Sequence, residues 1–530
     1  MSNASNETAT ELPPRLPASY QRWHLYGAGL ENVGREGKPE TVELPTPAPN
    51  EILVRHDACG ICYSDIKIIN LGDQHPRLVG RDLAQNPVVM GHEVALTVVG
   101  VGEDLREQFH EGERYIVQAD VYYQGVNLAY GYAITGGMSQ YGIIGPEVLQ
   151  GDEGCYLLPI QPETGSVEAA LVEPWACVEA AYHWTERSDV LPGGCLAALD
   201  REGVKEAYYQ NVCGKREQCW TWHSVETLSD KPRFEDILIE SRPTPELFEA
   251  VCARLDKNGT AHLHFSDPII RPVAVDVGRI HYDGHRYVGP KENKRNELKA
   301  GGTAWFIGAA GPMGQMHVQR ALSLPNSPAR LVCTDRQAGR IAALVERFGP
   351  MAKERGVELF VFNVRENGPP DFANLAPSGF DDIVIMVPSI EAIEDAFPRL
   401  AEDGVLNVFA GVARGTMARL DISLVAIRNV RIVGTSGSSI EDMRRVRDAM
   451  ESGQLNTGAS LAAIGGLEAF RGGLEAVQNG RFPGKTVIFP HVPNLPLTAL
   501  PDLATVRPDV YAKLQNGEWT RDAEAVLLND

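Results

Sequence analysis

Gly60-Ile61-Cys62-Tyr63-Ser64-Asp65, Gly91-His92-Glu93 and, much further on, Glu173-Pro174 bring together a thiol, an imidazole and carboxylates. Those groups suit a divalent metal, and a mixed set of sulfur, nitrogen and oxygen donors suits zinc best. Cys62 and His92 lie too far apart for a zinc-finger spacing, so the fold has to gather them. Three protein ligands with a fourth position open describe a catalytic site, where the metal polarises a substrate oxygen. By residue type alone a second reading stands beside this one: Cys62 as a small buried residue and His92 as a hydrogen-bonded core histidine.

Another chemistry begins at Gly301. Thr303-Ala-Trp-Phe-Ile307 reads as a buried strand, followed by Gly308-Ala-Ala-Gly311-Pro312-Met313-Gly314, a helix through Leu322, and a second strand from Arg330 to Asp335. Glycines let a backbone approach a pyrophosphate, and the following helix N-terminus offers free N–H groups at its positive end. Asp335, at the end of the next strand, can accept hydrogen bonds from adenosine ribose hydroxyls. A free carboxylate there favours NAD over NADP, whose 2′-phosphate would meet like charge, although Arg336 and Arg340 stand close in sequence.

The elements that position these groups follow two grammars. Residues 51–119 are a mosaic of short Val-rich segments and Gly turns, an irregular β-rich domain that turns helical around Ala169–His183. From Gly301 onward strands alternate with helices, the pattern of a parallel sheet. A chain of 530 residues can hold two or three cores, and 43% hydrophobic with 22% charged residues is ordinary for a soluble protein. A formal charge of −21 argues against nucleic acid or an anionic membrane surface as partner. The nine cysteines are sparse and irregular, so a disulfide framework is not expected. Met1 to Arg15 is polar, unlike a signal peptide, and no apolar run reaches membrane-spanning length, which together point to the cytoplasm.

The region between His183 and Gly301 carries a repeat. Phe234-Glu-Asp-Ile-Leu-Ile239 matches Phe380-Asp-Asp-Ile-Val-Ile385; Arg254-Leu255 matches Arg399-Leu400; Asn258-Gly259 matches Asp403-Gly404; and Arg286-Tyr-Val-Gly289 matches Arg431-Ile-Val-Gly434. Upstream, Gly193-Gly-Cys-Leu-Ala-Ala-Leu199 echoes Gly301-Gly-Thr-Ala-Trp-Phe-Ile307. The first copy places Asp200-Arg-Glu-Gly203 where the second has its glycine loop, so two acidic side chains replace the pyrophosphate cradle. This is the pattern of a duplicated half-Rossmann unit that has lost dinucleotide binding; chance likeness of two α/β segments is the alternative. Oligomer contact and cover over a cleft are the two roles open to it.

In this order the motifs resemble the zinc-dependent medium-chain dehydrogenase/reductase family, the alcohol and polyol dehydrogenases. The matching pieces are Gly60-Ile-Cys62-x-Ser64-Asp65, Gly91-His92-Glu93, Glu173-Pro174, the Gly308–Gly314 loop, Asp335 and Gly484-Lys-Thr-Val-Ile488. The resemblance implies an α/β protein: a tail (1–18), a GroES-like β-rich catalytic domain (19–186, completed by 436–530), an inserted partial Rossmann-like unit (187–298) and a Rossmann doubly wound domain (299–435). It implies Cys62, His92 and Glu173 as zinc ligands, with Glu93 ligating directly or exchanging with water. Glu173 stands where classical alcohol dehydrogenases use cysteine, the habit of the sorbitol and threonine dehydrogenase branch. Asp65 would orient His92, and Ser64 would pass on the alcohol proton. Gly308, Gly311, Pro312, Met313, Gly314, Asp335, Arg336 and Arg340 would hold NAD.

Two departures stand out. Many relatives carry closely spaced cysteines for a structural zinc where this chain has Asp120-Val-Tyr-Tyr-Gln-Gly125, so a single catalytic zinc is expected. The cofactor loop is longer by a residue than the commonest form. Cys59, which makes a Cys-x-x-Cys pair with Cys62, is read as packing. The expected activity is NAD-linked oxidation of a secondary alcohol on a small polyol or sugar-like molecule, or the reverse, in a homo-oligomer (dimer or tetramer) with the substrate in the cleft between the two domains. A sugar-phosphate or amino-alcohol dehydrogenase is the alternative on the same scaffold. A silent NAD-binding scaffold is the alternative of another class, against which the intact Cys62, Ser64, His92 and Glu173 argue.

Overall fold

The computed structural model describes residues 16–78, 80–183, 190–191, 196–199, 219–221, 233–291 and 295–529. Its contacts divide the chain into two units, Met1–Pro162 with Gly465–Leu474 and Ile488–Leu497, and Glu163–Ile464 with Glu475–Val487 and Thr498–Asp530. The first residues of the expected tail, the Gly193-Gly-Cys195 stretch and Asp200–Gly203 lie outside the described residues.

In the first unit, β1 (Ile52–Ile61) runs straight into α1 (Tyr63–Leu71). It pairs antiparallel with β2 (Glu93–Val101), which pairs with β3 (Arg114–Val117). On its other side lies β4 (Tyr141–Ile144), and β3 is flanked by β5 (Leu157–Ile160), all antiparallel. Register shifts interrupt β1–β2 between Leu53 and Val54 and between His56 and Ala58, extra residues of the kind that bend a strand. The pair closes on Gly60 opposite Glu93, which brings the ends carrying Cys62 and His92 side by side.

Near its start the second unit carries α2 (Val172–Ala180), and its described residues form one eleven-stranded sheet. The strands of its first half are β6 (Leu196–Leu199), β7 (Cys219–Thr221), β8 (Phe234–Ile239), β9 (Leu255–Leu263) and, beyond the separate β10 (Val273–Asp276), β11 (Arg286–Val288). The second half supplies β12 (Thr303–Ile307), β13 (Arg330–Asp335), β14 (Glu358–Asn363), β15 (Phe380–Ile385), β16 (Leu400–Val408) and, beyond the separate β17 (Met417–Leu420), β18 (Arg431–Val433). Across the sheet the order is β7-β6-β8-β9-β11-β18-β16-β15-β12-β13-β14. Every neighbouring pair is parallel except β11–β18, which is antiparallel. The second half has the doubly wound order in which a ligand crevice opens where the strand order reverses, between β12 and β15. Its strands are near-continuous apolar runs because helices cover both faces.

Of the residues that the sequence reading grouped with the β-rich domain (19–186, completed by 436–530), the described parts of 163–183, 436–464, 475–487 and 498–529 have their contacts in the second unit. The α2 helix packs on α8 (Ile440–Glu451), and Trp175 Nε1 donates to Ser460 Oγ at 3.0 Å. No described helix is long and apolar enough to cross a membrane.

The helix after the glycine loop, α5 (Pro312–Ser323), is pinned from below. Arg320, 6% exposed, donates from Nε to Glu179 at 2.8 Å and from Nη2 to Glu297 at 2.7 Å, and its guanidinium lies 4.0 Å from the centre of the Tyr182 ring. Burial pushes the Glu179 carboxyl up, but its bonds to His183 and Arg320 outweigh that and hold it at about 2. Arg320→Met should cost about 3 kcal/mol in a denaturant titration at neutral pH, since it leaves two carboxylates short of their cation. Because the Glu179 pKa is depressed, the difference between variant and parent should be full above pH 4.5 and shrink as pH falls toward 2.

Candidate metal centre and dinucleotide loop

Cys62 is the N-cap residue of α1, and Asp65 closes the cap: the Cys62 amide donates to Asp65 Oδ2 at 2.9 Å. Asp65 is fully buried, and its other oxygen lies 3.5 Å from His92 Nδ1. The remaining ring nitrogen, His92 Nε2, sits 3.2 Å from Ser64 Oγ. One carboxylate therefore fixes both the turn that presents the thiol and the orientation of the imidazole. Burial would lower the His92 pKa, but the facing Asp65 and Cys62 raise it well above the ordinary value. A metal bound here would displace a proton from His92.

One ligand atom each from Cys62, His92 and Glu93 lie within 4.8 Å of one another. Glu93 is fully buried and reaches the cluster because Gly60, opposite it in the strand pair, has no side chain; a Cβ there would overlap Glu93 Oε2. The turn before His92 is as tightly specified. Gly91 has φ +99°, and a Cβ on it would lie 2.7 Å from Cys59 Sγ and 3.0 Å from the Met138 amide. Cys59 is fully buried in that packing and stands apart from the three clustered donors. A thiolate, an imidazole and a carboxylate so arranged fit zinc in kind and spacing.

Glu173 is buried in the first turn of α2 in the second unit, where Cys177 Sγ lies 3.7 Å from its Oε1. The segment 120–125 forms part of a small ribbon, Tyr122–Tyr123 against Val126–Asn127, whose turn is held by Asp152 accepting from Gln124 N and Gly125 N at 2.7 Å each.

In the second unit the glycine loop leaves β12 at Gly308 and enters α5 with Gly311 as N-cap and Pro312 first in the helix. Gln315 Nε2 bridges Ala310 O at 3.1 Å and Pro483 O at 2.7 Å, and Asp335 Oδ2 accepts from Ala310 N at 3.0 Å. Asp335 Oδ1 accepts from the amides of Arg336 at 2.6 Å and Gln337 at 3.2 Å. The carboxylate expected to meet a ribose thus also braces the loop.

Residues 48–149 match the family model described as "Alcohol dehydrogenase GroES-like domain". Mannitol-1-phosphate 5-dehydrogenase of Aliivibrio fischeri is 26% identical over 92% of this chain and 94% of its own length. L-sorbose 1-phosphate reductase of Klebsiella pneumoniae is 25% identical over 93% and 95%. The solved structure of 2R,3R-butanediol dehydrogenase from Bacillus subtilis superposes with TM-score 0.54 at 16% identity, covering 89% of this chain and all of that one. Over nearly its whole length the chain is similar to the zinc-dependent medium-chain dehydrogenases, with residues 48–149 matching their GroES-like domain. It is an oxidoreductase.

The glycines of this loop divide by the space around them. A Cβ at Gly308, which has φ +84°, would lie 2.5 Å from Val387 Cγ1. At Gly314 it would collide with Gly308 O and come within 2.6 Å of the Ala309 carbonyl carbon, so that glycine lets helix and loop touch. At Gly311 it would meet nothing closer than 3.7 Å, and the φ of −72° suits any residue. Space around Gly311 is thus not filled by the protein. Arg340 Nη1 borders it, 3.9 Å from the position such a Cβ would take. Pro312 and Met313 form the first turn of the helix, and Arg336 begins the turn after β13.

Sequence reasoning missed the aromatic wall of the candidate metal cluster. The Tyr132 ring centre lies 5.9 Å from that of His92 and 5.3 Å from that of His75, and the Arg77 guanidinium is stacked 5.0 Å from it. Arg77 also pairs with Asp120 at 2.5 Å. No spacing rule links Tyr132 to His92; only the Gly131-Tyr132 turn hints at a special position. Gly311→Ala should leave the melting temperature unchanged while weakening dinucleotide binding in a fluorescence titration. Gly314→Ala should lower the melting temperature itself.

Proposed function

We propose that the chain is a zinc-dependent, NAD-linked dehydrogenase that interconverts a secondary alcohol and a ketone on a polyol or sugar-like substrate. The observation that carries this reading is the convergence of Cys62, His92 and Glu93, with Ser64 against the imidazole, in a chain that also has the strand, glycine loop, helix and Asp335 of a dinucleotide site. Cys62 and His92 would hold the metal, with Glu93, Glu173 or both completing the set and a position left open. When bound, zinc supplies Lewis-acid polarisation of the substrate oxygen, and the nicotinamide accepts or gives the hydride.

The chain's own residues do the rest. Asp65 keeps the proton of His92 on Nδ1, so Nε2 presents its lone pair. Ser64 Oγ receives the alcohol proton and passes it on, and the buried setting of His92 and Glu93 keeps water from competing. Asp335, held by three backbone amides, would accept from the ribose, and its charge supports NAD over NADP; Arg340 beside Gly311 would meet the pyrophosphate.

A second reading gives the substrate a phosphate. Two relatives that span nearly the whole chain are named for phosphorylated substrates, and Arg77 and His75 flank the Tyr132 ring next to His92. A panel of hexitols, hexitol 1-phosphates and their ketoses, followed by NADH absorbance alongside metal analysis, separates the two. Cys62→Ser should lose zinc and on the order of a thousandfold in kcat, several kcal/mol of transition-state stabilisation. A metal-free Cys62→Ser variant with full activity would overturn the reading. If a phosphate docks at Arg77, Arg77→Met should raise KM about tenfold for the phosphorylated substrates alone.

A further inference from the structure

The two halves of the eleven-stranded sheet meet in a way that chain connectivity does not require. One constant sequence offset carries Asn258 to Asp403, both in the left-handed region at φ 60° and 59°. The same offset carries Thr244 to Ser389, the side-chain N-caps of Pro245–Cys252 and Ile390–Ala396, and Gly284 to Asn429, the left-handed C-caps of Val277–Asp283 and Ser423–Arg428. In β8–β9 and β15–β16 the register slips at matching places, between Phe234 and Asp236 and between Phe380 and Asp382. These are two copies of one structure.

At the joint each copy meets the other through equivalent residues. Tyr287 pairs with Ile432, which is its own counterpart under that offset. In the ribbon β10–β17, Ala274 pairs with Arg419, again its own counterpart. The backbone of that pair is satisfied symmetrically: Ala274 N donates to Glu249 Oε1 at 2.9 Å, and Arg419 N to the equivalent Glu394 Oε1 at 2.6 Å. Contacts are reciprocal as well. The absent Cβ of Gly289 would strike Val425 O, and that of its counterpart Gly434 would lie 2.9 Å from Ile280 O, Ile280 being the counterpart of Val425. Residue i on j′ together with j on i′ is the signature of an isologous, two-fold interface, the kind formed between two copies of one subunit.

We propose that residues 233–289 are a built-in partner, occupying the face of the second half (β17 and the edge of β18) that a second copy would otherwise take. Two chains therefore do not associate through this sheet, and any assembly of identical chains uses other surfaces. The joint is no thin graft. Phe234, Phe248, Val275 and Tyr287 from one copy share a single apolar core with Phe380, Leu420, Val425 and Ile432 from the other. An uncovered β18 would also present an open strand edge, a template for pairing.

The test uses the self-equivalent pair. Both amides point away from the partner strand, so Ala274 and Arg419 form a non-hydrogen-bonded pair whose side chains stand close enough to cross-link. In the intact chain, Ala274→Cys with Arg419→Cys should form a disulfide within one chain, leaving the native mass unchanged. Arg419→Cys alone should add no covalent dimer over the parent on a non-reducing gel. In a chain with residues 190–298 replaced by a short Gly-Ser linker, the face is bare. That chain should become a dimer by light scattering, and Arg419→Cys within it should cross-link the two copies. An interchain disulfide from Arg419→Cys in the intact chain overturns the proposal, as does a soluble, folded excised chain that stays monomeric. If the excised chain is insoluble, the two intact-chain variants decide.

Discussion

Asp65 has no exposure: one oxygen accepts from the Cys62 amide, and the other faces the His92 ring at 3.5 Å, a buried charge held against an imidazole. That arrangement ties the end of β1 to the turn before β2, two segments with no covalent reason to meet. It sets which face the thiol presents and which ring nitrogen is left for other use. The glycines around it follow from the same crowding: Gly60 leaves room for Glu93, and Gly91 leaves room for Cys59 and the backbone at Met138. The candidate metal donors are few, but a shell of residues chosen for absence of bulk holds them in place.

The dinucleotide loop is governed by comparable economy, with a different division of labour. Gly308 and Gly314 have no space for a side chain, whereas Gly311 has space that the protein itself leaves unfilled. Asp335 serves the loop as well as any ribose, because its oxygens already accept from Ala310, Arg336 and Gln337. Beneath the loop, Arg320 between Glu179 and Glu297 fixes the helix whose N-terminus faces that space. A cation this deeply buried is tolerated because two carboxylates and the Tyr182 face surround it.

The duplicated half gives the second unit its breadth. Each copy is an incomplete layer, and a half-sheet with a bare antiparallel edge is an invitation to pairing. Joining β11 to β18 closes that edge within one chain, and the shared core makes the two copies one body. The first half, as described, has one strand fewer than the second, and the order of its strands is otherwise the same.

By itself the sequence determined the local elements and the family resemblance: the buried strand at Thr303–Ile307, the loop and helix after it, the repeat, and the Cys62, His92 and Glu93 motifs were all legible because each rests on neighbours in the chain. Periodicity, glycine placement and residue type act over a few positions, and that is the range such reading covers. Tertiary structure alone decided that helix α2 packs with the parallel-sheet unit, that Tyr132, His75 and Arg77 stand beside His92, and that the two repeats face each other about a two-fold. Those outcomes depend on which apolar faces find each other across hundreds of residues. The free energy of burial depends on area and fit, and no spacing along the chain records it.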